Sequence, residues 1–223
     1  MAWQPRGVIV DFDGVVTRTL PRDKLLRRTE KELNLAAGDL MQVLFSGDHW
    51  WALSTGKVST QEYWDHITHL LGPNIPPVLE PFRDNPFAYE ELNLTTVKWL
   101  GSLRRLHKIA LLSNATLYLD QLLEESELRR LFDVVVNSAR VGWRKPDPEI
   151  YELTLSRMGL VREDCVFIDD KERNISAARA IGLPAIHFPS AAAARRQFAA
   201  MVAQSPAPYA GLGSQRTPSR TSL

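Results

Sequence analysis

The sequence predicts an α/β protein: a parallel, Rossmann-like sheet with helices on both faces and an α-helical cap inserted after the first strand. Three observations carry this expectation. Short apolar, largely β-branched runs recur along the chain, and most stop abruptly at a polar residue. Helix-length stretches lie between those runs, and such alternation builds parallel sheets. One long stretch, from about residue 17 to about residue 89, breaks the alternation and shows only helical patterning.

Taken in order, the first strand is Gly7-Val8-Ile9-Val10, which ends in Asp11. Residues 109–112 follow the same pattern before Ser113, residues 134–136 before Asn137, and residues 166–168 before Asp169. Residues 184–188 supply a fifth strand. Helices are expected over 117–131, 149–158 and 173–181. Inside the long stretch, residues 24–35, 37–45 and 60–71 place apolar side chains at helical spacing. Gly72-Pro73-Asn74-Ile75-Pro76-Pro77 then stops the last of these helices. Residues 191–204 read as an alanine-rich helix, and the Ser-, Pro-, Gly- and Arg-rich run after it as a mobile tail. The expected division is a core over 1–16 and 90–204, a helical cap over 17–89, and a tail over 205–223.

Composition narrows the function classes. The chain has 223 residues with 27 Lys plus Arg against 26 Asp plus Glu, so bulk charge does not drive nucleic-acid binding. The single cysteine, Cys165, excludes an internal disulfide and a zinc site of several thiolates. No apolar run approaches the roughly 20 residues of a membrane helix, and the amino-terminal apolar run is too short for a signal peptide. A cytoplasmic protein with no membrane partner is the expectation.

Ligands of open parallel sheets bind beyond the carboxyl ends of the strands, so the polar residues found there are the ones to weigh. In Asp11-Phe12-Asp13-Gly14-Val15, Asp11 and Asp13 are two apart, and Gly14 permits a sharp departure. Close carboxylates repel, and they persist where a cation separates them or one keeps its proton. On this motif alone, that reading and a solvated turn weigh about equally. Asp169-Asp170 ends another strand, and four carboxylates at one sheet edge suit Mg²⁺ with its preference for oxygen. Lys145 lies in Arg144-Lys145-Pro146-Asp147-Pro148-Glu149, where Asp147 is a natural helix cap and Pro148 fits the first helical position. Ser113-Asn114 offers small donors for phosphate oxygens, although a turn or helix cap is the commoner use of such a pair.

Together these motifs resemble the haloacid dehalogenase-like hydrolase superfamily, in the phosphatase branch that carries a helical cap after the first strand. Asp11-Phe12-Asp13-Gly14-Val15, Ser113-Asn114, Lys145, and Phe167-Ile168-Asp169-Asp170 followed by Asn174 occur in that family's order and spacing. The resemblance implies a Mg²⁺-dependent phosphatase acting on a small phosphorylated metabolite. Asp11 is then the nucleophile that forms an aspartyl-phosphate, and Asp13 the general acid and base. Ser113 and Lys145 hold phosphoryl oxygens, with Asn114 and Asn174 in support. Mg²⁺ is held by Asp11, the backbone carbonyl of Asp13, and Asp169 or Asp170, with Asp170 favoured as the direct ligand. The acid at position 13 separates the chain from the true dehalogenases, which lack it. A phosphomutase would carry the same motifs, and a non-catalytic regulatory protein on this scaffold is a second rival; intact Asp11, Asp13, Lys145 and Asp170 speak against the latter.

Several weaker features have a bland reading beside a sharp one. Trp50 and Trp51 read as cap core before substrate contacts. His66 and His69, three apart on a helix, read as a solvated face before a metal site, as no third ligand is near in sequence. Lys24, Arg27, Arg28 and Lys31 read as a solvated basic face. Cys165 reads as a small buried apolar residue. Thr17 and Arg18 are candidates to face the substrate from the cap hinge.

Overall fold

A computed structural model describes residues 4–20, 23–72 and 76–203; the expected tail and residues 73–75 lie outside these. Seven strands occur among the described residues: β1 (Gly7–Val10), β2 (Thr17–Thr19), β3 (Glu90–Leu92), β4 (Lys108–Ser113), β5 (Val134–Asn137), β6 (Cys165–Asp169) and β7 (Ala185–His187). Five of them form a sheet in the order β5-β4-β1-β6-β7, with every pairing parallel. All four residues of β1 are buried, as expected for a central strand covered on both faces. Val8 and Val10 pack into one hydrophobic layer with Leu111 and Ile168, while Ile9 joins the opposite layer with Leu112 and Phe167. Each such fully buried side chain contributes about 1.5–3 kcal/mol. The chain leaves β1 for β4 on one side and later returns to β6 on the other. Asp11 therefore emerges at the switch point of the sheet, where a crevice opens.

The helical stretch after the first strand is present as expected, with differences in detail. It comprises α1 (Asp23–Glu32), α2 (Asp39–Phe45), α3 (Gly47–Ser54), α4 (Thr60–Leu71) and α5 (Glu80–Asp84). Leu40, Leu44, Tyr63, Trp64, Ile67 and Leu79 form a separate apolar cluster among these helices. Ser59 and Glu62 cap α4 reciprocally, each side chain taking the other residue's backbone N–H. Not anticipated were β2 and β3, which pair antiparallel with Thr17 opposite Leu92 and Thr19 opposite Glu90. Thr17-Arg18-Thr19 and Glu90-Glu91-Leu92 hold one apolar residue between them and leave no apolar run to read.

The remaining helices are α6 (Leu94–Leu103), α7 (Tyr118–Glu124), α8 (Ser138–Val141), α9 (Pro148–Met158), α10 (Glu172–Ala180) and α11 (Ala191–Ala203). The single helix expected over 117–131 is two pieces, because Ser126 is extended (φ −121°, ψ 156°) between α7 and a tight turn over Glu127–Leu131. The insertion is fastened to the sheet edge beside α8. Ser138 Oγ donates to the Ser54 carbonyl at 2.5 Å and accepts the Ala115 N–H at 3.0 Å. Beside it the backbones approach so closely that a Cβ on Gly56 would collide with the Ala139 carbonyl oxygen.

Candidate active site

The first motif does not reach its site by strand alternation. β1 stops at Val10, and Phe12–Val16 form one wide helical turn in which Gly14 has φ +79°. Asp11 caps this turn, its carboxylate accepting the Phe12 N–H at 2.7 Å. The turn brings Asp13 round, so that Asp11, Asp13 and Gly14 all line one cavity of about 400 Å³. Asp11 is buried there, whereas Asp13 is exposed to the cavity.

Lys145 is not solvated: it is 1 % exposed. Its Nζ lies 2.7 Å from Asp11 and 2.7 Å from Asp169. The loop that carries it is clamped by Asn114, whose side-chain oxygen accepts the Lys145 N–H at 2.7 Å while its amide donates to the Lys145 carbonyl at 2.7 Å. Asn114 is thus engaged with this loop as well as lining the cavity. Ser113 is the buried end of β4 beside Asn137 and is not among the residues of the cavity wall. Asp147 flanks α9 as expected, but its side chain accepts the Arg144 N–H at 3.2 Å instead of capping the helix.

The two acids after β6 have different surroundings. Asp169 is fully buried and accepts Asn174 Nδ2 on both oxygens at 3.0 Å, the Lys171 N–H at 2.8 Å, and Lys145. Asp170 pairs with Lys171 Nζ through one oxygen at 2.7 Å, while its Oδ1 is buried without a hydrogen-bond partner. A Cβ on Gly14 would press on the Asp170 carboxylate at 2.6 Å, so glycine is required here by contact as well as by backbone angle. Asp11, Asp169 and Asp170 each offer an oxygen within 4.8 Å of the others; the Asp13 carboxylate is not part of that group.

Electrostatics follow from this geometry. Burial holds the Asp11 carboxyl well above the usual carboxylate range; Lys145 opposes the rise, and Asp169 and Asp170 add to it. For Asp169 burial acts the same way, but Lys145, the Lys171 N–H and Asn174 outweigh it and hold this carboxyl low. Burial pulls Lys145 down, yet its two carboxylates prevail and raise it, so it stays a cation. An orphaned buried oxygen on Asp170, an all-oxygen donor group and surplus negative charge together fit a hard divalent cation such as Mg²⁺.

Among the other candidates, Asn174 joins Asp169, whereas Thr17 and Arg18 do not face the cavity: Thr17 is buried with its hydroxyl 3.4 Å from the Phe12 carbonyl, and Arg18 pairs with Glu91 at 2.6 Å. Thr19 lines the cavity instead. Trp50 packs against the insertion's core but also lines the cavity, and Trp51 lines it while 47 % exposed, contrary to a purely structural reading. His66 stacks on His49, ring centroids 3.3 Å apart, and the metal-capable group of acids includes no histidine. Arg27, Arg28 and Lys31 are exposed, with Arg28 paired to Glu32, as a solvated face requires. Cys165 is buried, and burial pushes its thiol up to about 12. Sequence reasoning missed Lys171, His187 and Arg144. Lys171 directly follows the acid pair and was findable; His187, whose ring nitrogen lies 3.0 Å from the Asp170 carbonyl oxygen, comes from β7 and carries no local signal. Arg144 lies over the Trp51 ring, 5.0 Å from its centroid.

Known proteins share this fold. An HAD-like family hydrolase from Porphyromonas gingivalis superposes with a TM-score of 0.66 at 23 % identity, covering 82 % of this chain and 91 % of that one. A family enzyme from Bacteroides thetaiotaomicron, solved with magnesium and inorganic phosphate, gives 0.67 at 18 % identity over 84 % and 95 %. At such identities the likeness is one of fold. Among curated proteins, a sesquiterpene phosphatase of Aspergillus oryzae is 41 % identical over 58 residues, covering 26 % of this chain and 30 % of the relative. A phosphoglycolate phosphatase of Salmonella choleraesuis is 35 % identical over 71 residues, covering 32 % and 28 %. The matched part thus spans less than a third of these curated relatives. The family model for haloacid dehalogenase-like hydrolases matches residues 5–182, the stretch that holds β1 to β6 and every acid of the cavity, and the chain belongs to that family.

Proposed function

We propose that the protein is a Mg²⁺-dependent phosphatase that hydrolyses a small organic phosphate through an aspartyl-phosphate on Asp11. The observation that carries this reading is the buried Lys145 bridging Asp11 and Asp169 at 2.7 Å, with the Asp170 orphan oxygen beside them. Asp11, Asp170 and the Asp13 backbone carbonyl would hold Mg²⁺, with Asp169 orienting the group and fixing Lys145. The ion supplies positive charge that offsets the phosphoryl oxygens and favours the ionised form of Asp11.

The chain's own groups perform the rest. A carboxylate oxygen of Asp11 attacks phosphorus, and the bond to the leaving oxygen breaks as Asp13 gives that oxygen its proton. Asp13, now ionised, takes a proton from water, which attacks the same phosphorus and returns Asp11 as the bond between them breaks. Lys145, held charged by its two carboxylates, offsets charge on the phosphoryl group throughout. Ser113, buried outside the cavity wall, takes no part in this role, and Asn114 and Asn174 act by fixing Lys145 and Asp169. Residues 17–89 serve as a cap over a core of 1–16 and 90–204, a reading supported by Met41, Phe45 and Trp50 lining the same cavity as Asp11.

The test is turnover of p-nitrophenyl phosphate by the purified chain. Activity should vanish on chelation, return with Mg²⁺ and fall with excess Ca²⁺, whose looser shell misplaces nucleophile and phosphate. Undiminished turnover in chelator would contradict the metal assignment.

A further inference from the structure

The cavity above Asp11 has two unlike ends. One holds the acids and Lys145; the other is walled by Met41, Phe45, Trp50, Phe82 and Pro86. The wall is preorganised: Phe45 meets Trp50 edge-on at 5.1 Å and Phe82 at 5.4 Å, and Phe82 meets Tyr89 at 4.9 Å. A narrower extension of about 80 Å³ shares Phe45, Trp50, Phe82 and Pro86 with the main cavity and runs on beside Leu44, Leu53 and Trp64, with Thr60, Arg83 and Asp84 also in its lining. The apolar surface therefore continues away from the phosphoryl position into the insertion.

Two hydroxyls at this end are already engaged. The Ser46 hydroxyl donates to the Gln42 carbonyl, and the Thr19 hydroxyl donates to Glu90 at 2.8 Å. A polyhydroxylated leaving group would exchange water for rings, at about 1–3 kcal/mol for each hydroxyl left without a partner. Charge points the same way. The lining holds Asp11, Asp13, Glu90 and Asp170 against Arg144, Lys145, Lys171 and Arg173. The buried Asp169 shares Lys145 with Asp11 and tips the balance to five acids against four bases, so a phosphate dianion with one divalent cation leaves the cavity negative, and a second anion on the substrate would add to that charge.

We infer that the substrate is a phosphate monoester of an apolar alcohol, alkyl, alkenyl or aryl, whose hydrocarbon lies against the Met41, Phe45, Trp50 and Phe82 wall. This rests on the phosphatase reading and adds the substrate class to it. Cleavage follows the steps given above: the phosphorus–oxygen bond breaks, the apolar alcohol departs with a proton from Asp13, and water supplies the oxygen of the released phosphate.

The experiment uses the full chain with Mg²⁺ and straight-chain alkyl phosphates from ethyl to hexyl, beside glucose 6-phosphate and 2-phosphoglycolate, which also release primary alcohols. Burial of each methylene predicts a rise in kcat/KM of about fourfold until the wall is covered. Hexyl phosphate should exceed both polar substrates at least about tenfold by the same reasoning. Binding of the matching alkyl phosphonates, read by calorimetry, should climb in parallel without any turnover. Met41→Gln keeps the volume of this half-buried side chain but should flatten the chain-length series, whereas a merely structural loss would lower every length alike. A flat series in both turnover and binding, or a preference for glucose 6-phosphate or phosphoglycolate, overturns the inference. Rising phosphonate affinity in a chain that turns over no phosphate, p-nitrophenyl phosphate included, supports the apolar subsite and contradicts the phosphatase reading instead.

Discussion

The sheet edge and the helical insertion enclose one cavity but hold their side chains by different forces. At the sheet edge, Lys145 is locked between Asp11 and Asp169, and every hydrogen-bonding position of Asp169 is taken. Such a cluster does not tolerate the loss of its cation, because that leaves buried carboxylates without their counterpart. On the insertion, Phe45, Trp50 and Phe82 are held by ring contacts and apolar burial, which are graded and accept substitution at the cost of area. The difference separates two tasks: the rigid floor suits one chemistry, and the graded wall suits adjustment of what the chemistry acts upon.

The largest effect should come from the floor. Lys145→Ala leaves two buried carboxylates uncompensated, so unfolding by denaturant should show a loss of about 3–5 kcal/mol. If that variant kept parental stability, the floor would be no more rigid than the wall, and the contrast would fail. Asp11→Asn is expected to abolish turnover while leaving the metal-free protein as stable as the parent or more so, since it removes a charge that burial and two neighbouring acids disfavour.

That last point has a pH signature whose sign is fixed. Asp11 has its folded value raised, so its contribution is present below the ordinary carboxylate value of about 3.9 and lost as pH rises through the raised value. Asp169 has its folded value lowered, so its contribution is present above about 3.9 and lost as pH falls through the lower value. Metal-free parent and Asp11→Asn, melted across pH 3–8, should therefore diverge toward high pH, with the variant spared the parent's loss. Parallel curves would remove the argument for an acid crowded by its neighbours.

Smaller effects are expected at the boundary between floor and wall. Gly14→Ala forces a Cβ onto Asp170 at a φ of +79°, which should cost about 1–3 kcal/mol and weaken Mg²⁺ binding measured by titration calorimetry. Smallest of all is Trp51→Ala. This ring is 47 % exposed and stacks under Arg144, so stability should change by only about 0.5–1 kcal/mol, while the ranking of substrates shifts. A change confined to stability would place Trp51 outside the wall.

How far each region could be read from sequence follows the same division. The floor is written in local motifs: Asp11, Asp169 and Asp170 each end or follow a buried apolar run, and that run places them at one sheet edge before any coordinates are known. The pairing of Lys145 with Asp11 and Asp169 spans 134 and 24 positions and rests on the family resemblance, since no local pattern distinguishes a buried lysine from a solvated one. The wall was barely legible. Met41 and Phe45 share α2 while Trp50 and Phe82 come from α3 and α5, and a ring that lines a cavity has the same spacing as one that fills a core. Three-residue β2 and β3 were missed because strands so short and mostly polar have no apolar period, and His187 because its contact with Asp170 depends on the register of β7 against β6.

The central claim, that Asp11 carries the phosphoryl group and Asp13 moves the protons, is tested most directly by rapid quench followed by intact-protein mass measurement. With p-nitrophenyl phosphate, whose leaving group needs no proton, Asp13→Asn should form the intermediate and be slow to hydrolyse it, since general base help is worth about 10²–10⁴-fold. The account predicts a gain of one phosphoryl group in Asp13→Asn and none in Asp11→Asn. A phosphoryl group acquired by Asp11→Asn, or parental turnover in both variants, would contradict it.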